Sequence, residues 1–578
     1  MPSQWRLRNP DPEAVRALAR AKDLPPVLAS LLVSRGHPDA DAAERHLAAS
    51  PMSLHDPFLF RDMRRATQRI ARAIHAGETI LVHGDYDVDG VTGTALLMRL
   101  FEVLGARAAW HIPSRLKDGY SFGRHSIEKA EATGAKVVIS VDNGTSAHEV
   151  IAELGERGID TIVTDHHEPP PGPLPEALAI VNPKLPDSTY PWRELCGGAV
   201  AFKLAWAVAQ EMSGGRRAKG ELRAFLEEAT AYVAIATISD VVPLLDENRV
   251  FARYGLKALE RSRSHGLRAL LEVAGIASRA LSAEDVAFQV GPRLNASGRL
   301  GSAEEAVRCL LARDAETARA HALALDGLNQ KRKEIEAAVL REAREAARAW
   351  AERDEHPVLV LAGEGWHQGV VGIVAARLVE EFARPAVVIG LENGFGRGSA
   401  RTFGGFDVLA ALAGGAPHFE RFGGHRQAAG LEIRSENVPA ARAAIQARAR
   451  EMLAGGGFAA QDLWIDCELP FPEMNATTMR HLDRMTPFGA RNEKPLFLSR
   501  RVYLAQAPRQ VGAANDHLLL SLRQGEHVLK ALGFRMGERV RELALGTPLD
   551  AVYSPRWNTF RGDTALELEL ADFRTAGP

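Results

Sequence analysis

The feature that most constrains the fold is a pattern that repeats from Thr79 to Leu245. Each repeat has a short β-branched apolar run, a polar or glycine-containing turn, and then an Ala/Leu-rich stretch. This alternation predicts a mainly parallel sheet with helices on both faces. The apolar runs are TILVHG, AAWHIP, AKVVISVDNG and DTIVTDHH, which begin at Thr79, Ala108, Ala135 and Asp160.

The rest of the chain predicts further folded units, as its length of 578 residues requires. An Ala/Glu/Arg-rich stretch from about Asp314 to Glu355 predicts a long helix that separates two bodies like a strut. A second α/β pattern follows, and after Gly455 short alternating strands favour a small OB-type β-barrel. The expected parts of this α/β protein are an N-terminal extension (1–50), a catalytic domain (51–300), connecting helices (301–355), a second α/β domain (356–453) and the barrel (458–578).

Composition excludes several classes of protein. The three cysteines are far apart and form no C-x-x-C pair, which argues against a disulfide framework and against a structural zinc site. No apolar run reaches 18 residues, and the first residues lack the apolar stretch of a signal peptide, so we expect a cytoplasmic protein without a membrane span. The formal net charge of -2 means that any affinity for nucleic acid must come from a local basic surface.

The most informative segment is HGDYDVDG, from His83 to Gly90, directly after an apolar strand. Its aspartates are spaced as in an EF-hand loop. That interpretation fails, because position twelve would be Leu96 instead of Glu and the preceding element is a strand. What remains is a carboxylate cluster at the carboxyl end of a parallel strand, where open α/β sheets bind ligands.

Other segments deliver polar residues to the same predicted edge of the sheet. One strand ends at Asp142, and another ends at the run Asp165, His166 and His167. Asp240 is the one charged residue between positions 231 and 245, in an apolar helical segment. An unpartnered buried carboxylate is costly, so this side chain is expected to meet a cation.

Ordinary structural roles must be weighed against a metal site. A single Asp after a strand is most often a helix N-cap or a turn residue, and adjacent histidines can be a surface pair. Because four segments converge on one edge of the sheet, such ordinary roles do not explain all of these residues together. Mixed carboxylate and imidazole ligands favour Mn²⁺ or a similar ion over Mg²⁺ alone, and they suffice for two ions. The chemistry indicated is phosphoester hydrolysis.

The sequence resembles the DHH phosphoesterase superfamily, and within it the bacterial exonucleases that act on single-stranded DNA. The resemblance covers almost the whole chain. It rests on HGDYDVDG, SVDNGTS, TDHHEPP, AIATISDVVPL and GPRLNASGRL, and on RFGGHRQAAGLEI, which resembles the glycine-rich signature of the DHHA1 domain. It implies a DHH catalytic domain, a DHHA1 domain, and metal-dependent 5′ to 3′ degradation of single-stranded DNA to mononucleotides in repair and recombination.

The resemblance also implies roles for the acidic set. Two divalent ions, Mn²⁺ or Mg²⁺, would share Asp142. Asp85 and Asp165 would orient ligands or water, although Asp85 could also ligate directly, and His167 would face the scissile phosphate. The implied ligands are His83, Asp87 and Asp142 for one ion, and Asp89, Asp142, His166 and Asp240 for the other.

The resemblance further implies a pocket for the 5′-phosphate and contacts to the following nucleotides. For each arginine, a surface ion pair is the alternative. The candidates are Arg115, Ser399 and Arg401 for the terminal phosphate, Arg293, Asn295 and Arg299 for the next phosphates, and Gly424 with His425 beside the nucleotide being cleaved.

The barrel segment gives an independent indication of a nucleic-acid surface. Between Arg480 and Arg535 there are ten Lys or Arg residues and four Asp or Glu residues. Aromatic residues between them could stack on bases, although most are expected in the core. We expect a monomer whose partner is single-stranded DNA, and we leave open recruitment by a single-strand-binding protein and a helicase. The alternatives are a phosphodiesterase for RNA or short oligonucleotides and a nonhydrolytic replication scaffold.

Overall fold

The computed structural model describes residues 4–114, 122–215, 217–351, 356–458, 462–560 and 563–577. Within them lie two α/β bodies, a long helix and a C-terminal barrel, which confirms the predicted fold class. The expected N-terminal extension forms one strand and three helices. These are β1 (Gln4–Leu7), α1 (Pro12–Lys22), α2 (Pro26–Ser34) and α3 (Ala40–Ala48).

The first body contains a sheet of five parallel strands in the order β3-β2-β4-β5-β6. Its strands are apolar on both faces because helices cover both: Val82 packs on one side and Leu81 on the other. The strands are β2 (Thr79–His83), β3 (Ala108–His111), β4 (Ala135–Val141), β5 (Asp160–Thr164) and β6 (Ala179–Val181).

Helices of this body pack on the sheet and against one another. A π-helix at Val286–Val290 leads directly into α13. The helices are α4 (Met63–Ala76), α5 (Val88–Val103), α6 (Arg124–Thr133), α7 (His148–Glu156), α8 (Gly197–Met212), α9 (Gly220–Ser239), α10 (Asp246–Glu260), α11 (His265–Val273), α12 (Ala283–Asp285), α13 (Gly291–Leu300) and α14 (Glu304–Leu311).

The predicted strut is helix α15 (Ala315–Ala351), whose 37 residues span about 55 Å. It contacts α11, α13 and α14 of the first body, and also packs on the second body. There its apolar stripe, which includes Val339 and Ala343, is buried. Among the described residues, no helix is both long and apolar enough to cross a membrane.

The second body is a five-stranded sheet in the order β10-β11-β9-β8-β7, in which only β7 and β8 are parallel. Ala428 pairs with Arg401 on one neighbouring strand and with His425 on the other, so these two predicted site residues lie at one end of the sheet. The elements are β7 (Leu359–Glu364), α16 (Val371–Phe382), β8 (Ala386–Glu392), β9 (Phe395–Arg401), α17 (Val408–Ala413), β10 (Phe419–His425), β11 (Ala428–Arg434) and α18 (Val438–Leu453).

The C-terminal strands close into a barrel, because β14 pairs with both β18 and β16. Most pairs are antiparallel, whereas β13 with β14 and β17 with β19 are parallel. The elements are β12 (Asp462–Ile465), β13 (Cys467–Glu468), α19 (Ala476–Asp483), β14 (Phe497–Leu504), β15 (Arg509–Val511), β16 (His517–Gln524), β17 (His527–Gly533), β18 (Leu549–Phe560) and β19 (Asp563–Thr575).

The N-terminal helices share one hydrophobic core with the barrel. Leu28 of α2 is fully buried in the same cluster as Phe497 and Tyr553 of the barrel, and β1 pairs with β12. The buried Arg249 of α10 ties this joint body to the first body by donating hydrogen bonds to backbone carbonyls of both α3 and the loop after α19. The two ends of the chain therefore form one folded unit.

Candidate active site

Polar side chains gather where three adjacent parallel strands end. Asp85 and Asp87 follow β2, Asp142 follows β4, and Asp165 follows β5. Because β4 lies between β2 and β5, these carboxyl ends meet at one edge of the sheet. Asp240 joins them from the end of α9. Among the described residues, donor atoms within 4.8 Å of one another form three groups that contain carboxylates: Asp85, Asp87 and Asp142; Asp89, His166 and Asp240; and Asp142, His166 and His167.

Asp142 belongs to two of these groups and is only 2% exposed. Its backbone φ of 64° lies in the left-handed region, which Asp and Asn tolerate better than other non-glycine residues. This conformation ends β4 and holds the carboxylate between the other groups. The structure thus gives Asp142 the central position that a shared ligand needs.

A pair of glycines at the start of α8 makes this crowding possible. The backbone N–H groups of Gly197 and Gly198 each donate to the Asp89 carboxylate at 2.6 Å. A Cβ atom on Gly197 would lie 2.6 Å from the Asp142 carboxylate. These contacts of the glycine pair are not predicted from the sequence. The signal that could have revealed them is a doubled glycine directly before an apolar helix.

His166 lies among three carboxylates. Its Nε2 atom is 3.1 Å from Asp142, 3.7 Å from Asp240 and 3.8 Å from Asp89. Burial, together with the charge of His167, lowers the pKa of His166 to about 3, so the imidazole is neutral. The ring also hydrogen-bonds the backbone of Leu195. A neutral imidazole that faces carboxylates is the arrangement of a metal ligand.

The carboxylates are poorly solvated and close together. Burial and the neighbouring Asp87 raise the pKa of Asp89 to about 7. Burial and Asp89 also raise the pKa values of Asp142 and Asp240 well above the usual range. Concentrated negative charge of this kind is costly unless a cation neutralises it. The donor set therefore fits divalent ions with mixed oxygen and nitrogen ligands.

Asp165 and His167 form a separate oriented pair at the rim of this site. The Asp165 carboxylate accepts hydrogen bonds from the backbone of Thr145, His166 and His167 and from Nδ1 of His167, at 2.8–3.1 Å. Burial alone would raise the pKa of Asp165, but the bond from His167 lowers it. Burial alone would lower the pKa of His167, but Asp165 raises it to about 9. His167 is therefore a cation at neutral pH.

His83 is buried at the end of β2, but none of the carboxylate groups above includes it. Its donor atom clusters instead with those of His111 and His125, and its Nε2 atom is 2.9 Å from the hydroxyl of Ser126. Burial lowers the pKa of His83 well below its usual range, so this ring is neutral.

A cleft of about 270 Å³ opens onto these residues. Asn295 and Arg299 line it from α13, and Oδ1 of Asn295 accepts a hydrogen bond from the backbone of Val88 at 3.2 Å. The predicted phosphate ligand Arg293 is placed differently. It is 7% exposed and pairs with Asp326 of the strut at 3.0 Å, so it fastens α13 to α15.

The second body contacts Arg299 of the cleft and holds two further predicted residues, Ser399 and Arg401, against Gly372, three residues beyond that contact. Arg299 donates to the carbonyl of Gly369 at 3.1 Å, and a Cβ atom on Gly369 would clash with the Arg299 backbone. Arg401 donates to the Ser399 hydroxyl at 2.8 Å, and both face Gly372 in the first turn of α16.

The other predicted substrate residues lie at the end of a hairpin or outside the described part of the chain. His425 and Gly424 are exposed where β10 ends. Gly424 needs to be a glycine, because its φ is 143° and a Cβ would lie 2.5 Å from the Ala428 carbonyl. Arg115 lies outside the described residues.

Three family models match consecutive parts of the chain. They are the DHH family N-terminal domain over residues 79–237, the DHHA1 domain over residues 355–451, and the RecJ OB domain over residues 465–572. The single-stranded-DNA-specific exonuclease RecJ of Bacillus subtilis is 34% identical over 572 residues, which cover 98% of this chain and 70% of that protein. The chain belongs to the RecJ family. The resemblance noted in the sequence is thereby confirmed.

Other RecJ proteins give the same result. RecJ of Escherichia coli is 33% identical over 94% of this chain and 95% of its own length. The crystal structure of RecJ from Thermus thermophilus in complex with Mn²⁺ matches with a TM-score of 0.83 and 31% identity, over 100% of this chain and 80% of that one. The Mg²⁺ complex of the same protein matches with a TM-score of 0.77.

We expect Gly197→Ala to lower kcat/KM on single-stranded DNA by about 10- to 100-fold, because the new methyl group would displace the Asp142 carboxylate. Mn²⁺ affinity should fall as well. Gly155→Ala in α7 is the matched control, since nothing lies within 4 Å of its added Cβ. Cleavage assays and Mn²⁺ titrations compare the two. Wild-type behaviour of both variants would contradict the role given to the glycine pair.

We expect the Mn²⁺ affinity of the metal-free protein to rise with pH between about pH 6 and pH 8. Protons compete with the ion in this range because the pKa of Asp89 is about 7 and those of Asp142 and Asp240 are also raised. For each carboxyl group that loses a proton when the ion binds, the apparent Kd falls about tenfold for every unit of rise in pH below the pKa of that group. Calorimetry in buffers of different ionisation enthalpy measures both the affinity and the protons released.

The same pKa shifts determine whether the metal-free protein gains or loses stability as the pH rises. Because the pKa of folded Asp89 is raised, the unfolded chain binds fewer protons between about pH 4 and pH 7, and the fold loses stability as the pH rises through that window. Mn²⁺ should therefore raise the melting temperature more at pH 8 than at pH 6. Equal increases at both pH values, without proton release, would argue against carboxylate ligands of raised pKa.

Proposed function

We propose that the chain is a metal-dependent exonuclease that degrades single-stranded DNA from the 5′ end to mononucleotides, in DNA repair and recombination. The observation that carries the proposal is the neutral imidazole of His166 among three buried carboxylates, with its Nε2 atom 3.1–3.8 Å from them. The named RecJ relatives are single-stranded-DNA-specific exonucleases. This chain carries the donor set that metal-assisted phosphoester hydrolysis needs.

Two ions would share Asp142. The short distances among the donor atoms of Asp89, His166 and Asp240 support one site, and those among Asp85, Asp87 and Asp142 support the other. Either Mn²⁺ or Mg²⁺ suits such ligands. The proposed ligands are Asp89, Asp142, His166 and Asp240 for one ion, and His83, Asp87 and Asp142 for the other, with Asp85 in or next to the second site.

Divalent ions bound there supply an activated water and neutralise charge on the phosphate. The chain itself supplies the protonated ring of His167, which lines the cleft and is oriented by Asp165. Its positive charge would stabilise the scissile phosphate, and its proton is available to the leaving oxygen. Asp165 keeps the ring charged and fixed in direction.

The proposed 5′-phosphate pocket lies in the second body. Arg401 offers a guanidinium group, Ser399 a hydroxyl, and Gly372 a backbone N–H in the first turn of α16. No described side chain caps this helix, and a helix N-terminus favours anions. Arg115 is proposed as a further ligand on the basis of the family resemblance.

A short segment that links the cleft-lining Arg299 to this pocket supports removal of single nucleotides. Gly369 contacts Arg299 at the cleft, and Gly372 faces the pocket. These glycines are three residues apart, so at most about 10 Å separates them. A strand whose 5′ end is held in the pocket would present one of its first phosphodiester bonds to the ions.

Further contacts to the strand are proposed along α13 and the barrel. Asn295 and Arg299 line the cleft, and His425 with Gly424 lies near Arg401. In the barrel, Phe497 is buried whereas Phe534 is 43% exposed and stays available for base stacking. We further propose a cytoplasmic monomer, with a single-strand-binding protein and a helicase as candidate partners.

Single- and double-stranded DNA and RNA, labelled at either end and incubated with Mn²⁺ or Mg²⁺, test this function. We expect single nucleotides to be released from the 5′ end of single-stranded DNA. Preference for RNA or very short oligonucleotides would favour the alternative function, a phosphodiesterase for those substrates. Binding without cleavage would favour a replication scaffold.

We also expect 5′-phosphorylated single strands to be cut about 10- to 100-fold faster than strands with a 5′-hydroxyl, since a charge-assisted hydrogen bond contributes about 1.5–3 kcal/mol. Arg401→Ala should remove most of that difference. Arg397→Ala on the same strand β9 is the control, because this arginine pairs with Glu432. Equal rates of the wild-type protein on both substrates would exclude the pocket.

A further inference from the structure

The side chain of Ser126 is buried beside the proposed metal ligand His83. Its Oγ atom lies 2.9 Å from Nε2 of His83, and both residues have no exposed surface. Ser126 is the third residue of α6, so its position is set by helix geometry. Its hydroxyl also accepts a hydrogen bond from the backbone N–H of Gly123 at 3.2 Å, which fixes its direction.

The surrounding hydrogen bonds favour one tautomer of His83. The Ser126 hydroxyl can donate a hydrogen bond to Nδ1 of His125, which lies 3.4 Å away. The Ser126 oxygen then accepts a hydrogen bond from Nε2–H of His83, so the free lone pair of the His83 ring is on Nδ1. Nδ1 of His83 is buried and makes no hydrogen bond to any other described residue. A buried acceptor of this kind is costly unless something binds it, and a metal ion would do so.

Aromatic neighbours hold the plane of the ring. His125 stacks on His83 with a centroid distance of 5.5 Å and an interplanar angle of 16°. Phe122 meets the ring edge-on at 4.8 Å, and His111 contacts it at 5.1 Å. Rotation of the imidazole would therefore require several side chains to move.

His166 provides an internal comparison. Its Nε2 atom faces the carboxylates, and the ring is held by a hydrogen bond to the backbone of Leu195. Metal-binding histidines generally donate their second ring N–H to a fixed acceptor, which sets the tautomer and the direction of the lone pair. His83 has such an acceptor in a side chain, the hydroxyl of Ser126.

We propose that Ser126 is a positioning residue that accepts a hydrogen bond from Nε2–H of His83 and thereby presents Nδ1 of His83 as a ligand for the ion beside Asp87. This inference rests on the proposed function, because it assigns His83 to that metal site. It predicts that a hydroxyl outside the carboxylate cluster controls metal affinity without touching the DNA.

The test measures Mn²⁺ binding to the full-length metal-free protein by calorimetry and electron paramagnetic resonance. Ser126→Ala should raise the Kd of one Mn²⁺ by about 10- to 100-fold and leave the other unchanged. Binding of single-stranded DNA should not change. Ser126→Thr, which keeps the hydroxyl, should restore the affinity. Ser499→Ala is the control, since Ser499 is an equally buried, hydrogen-bonded serine in the barrel.

A second measurement determines the tautomer of His83 in the wild-type protein itself. Nitrogen-15 NMR of histidine-labelled protein, with the His83 signals assigned from a His83→Gln spectrum, should show His83 protonated at Nε2 in the metal-free state. Addition of Mg²⁺, a diamagnetic substitute for Mn²⁺, should then shift the Nδ1 signal. Protonation at Nδ1 would overturn the inference.

The outcomes separate this inference from the proposed function. If the wild-type protein binds two Mn²⁺ and cleaves DNA while Ser126→Ala keeps both affinities, only the inference fails. If the wild-type protein neither binds metal nor cleaves DNA, the proposed function fails. Nitrogen couplings from three histidines to one Mn²⁺ ion in the electron paramagnetic resonance spectrum would also overturn the inference, because His83, His111 and His125 would then form a metal site of their own.

Discussion

The constraint on which the structure depends is the crowding of buried carboxylates at one edge of a parallel sheet. Asp89, Asp142 and Asp240 come from three different elements, and burial raises the pKa of each. Holding them together costs free energy that backbone N–H groups offset only for Asp89. The cluster therefore needs cations, and the surrounding helix ends are shaped to keep it in place.

Two contacts connect the carboxylate cluster with the proposed pocket for the end of a DNA strand. The segment from Gly369 to Gly372 touches Arg299 at the cleft and faces Arg401 in the proposed phosphate pocket. The strut α15 fixes the distance between the bodies, and Arg293 fastens the first body to it through Asp326. In the proposed function, the geometry that would select a 5′ end thus depends on side chains outside the carboxylate cluster.

Much of this arrangement could be predicted from the sequence, because parallel strands bring residues that follow them to one edge. Asp142 and His166 were predicted on that ground, and the long helix followed from its composition. Contacts across the fold could not be predicted. Nothing in the local pattern indicates that Gly197 makes room for a carboxylate, that Ser126 reaches His83, or that the first helices complete the core of the barrel.

The central proposal is that one carboxylate, that of Asp142, would serve two metal ions. Anomalous diffraction at the manganese edge, from crystals grown with Mn²⁺, tests it most directly. We predict two peaks about 4 Å apart, each at bonding distance from an oxygen of Asp142, and the loss of both in Asp142→Asn. Asn tolerates the same left-handed backbone, so the fold should persist. A single peak, or a second peak among His83, His111 and His125, would contradict the account.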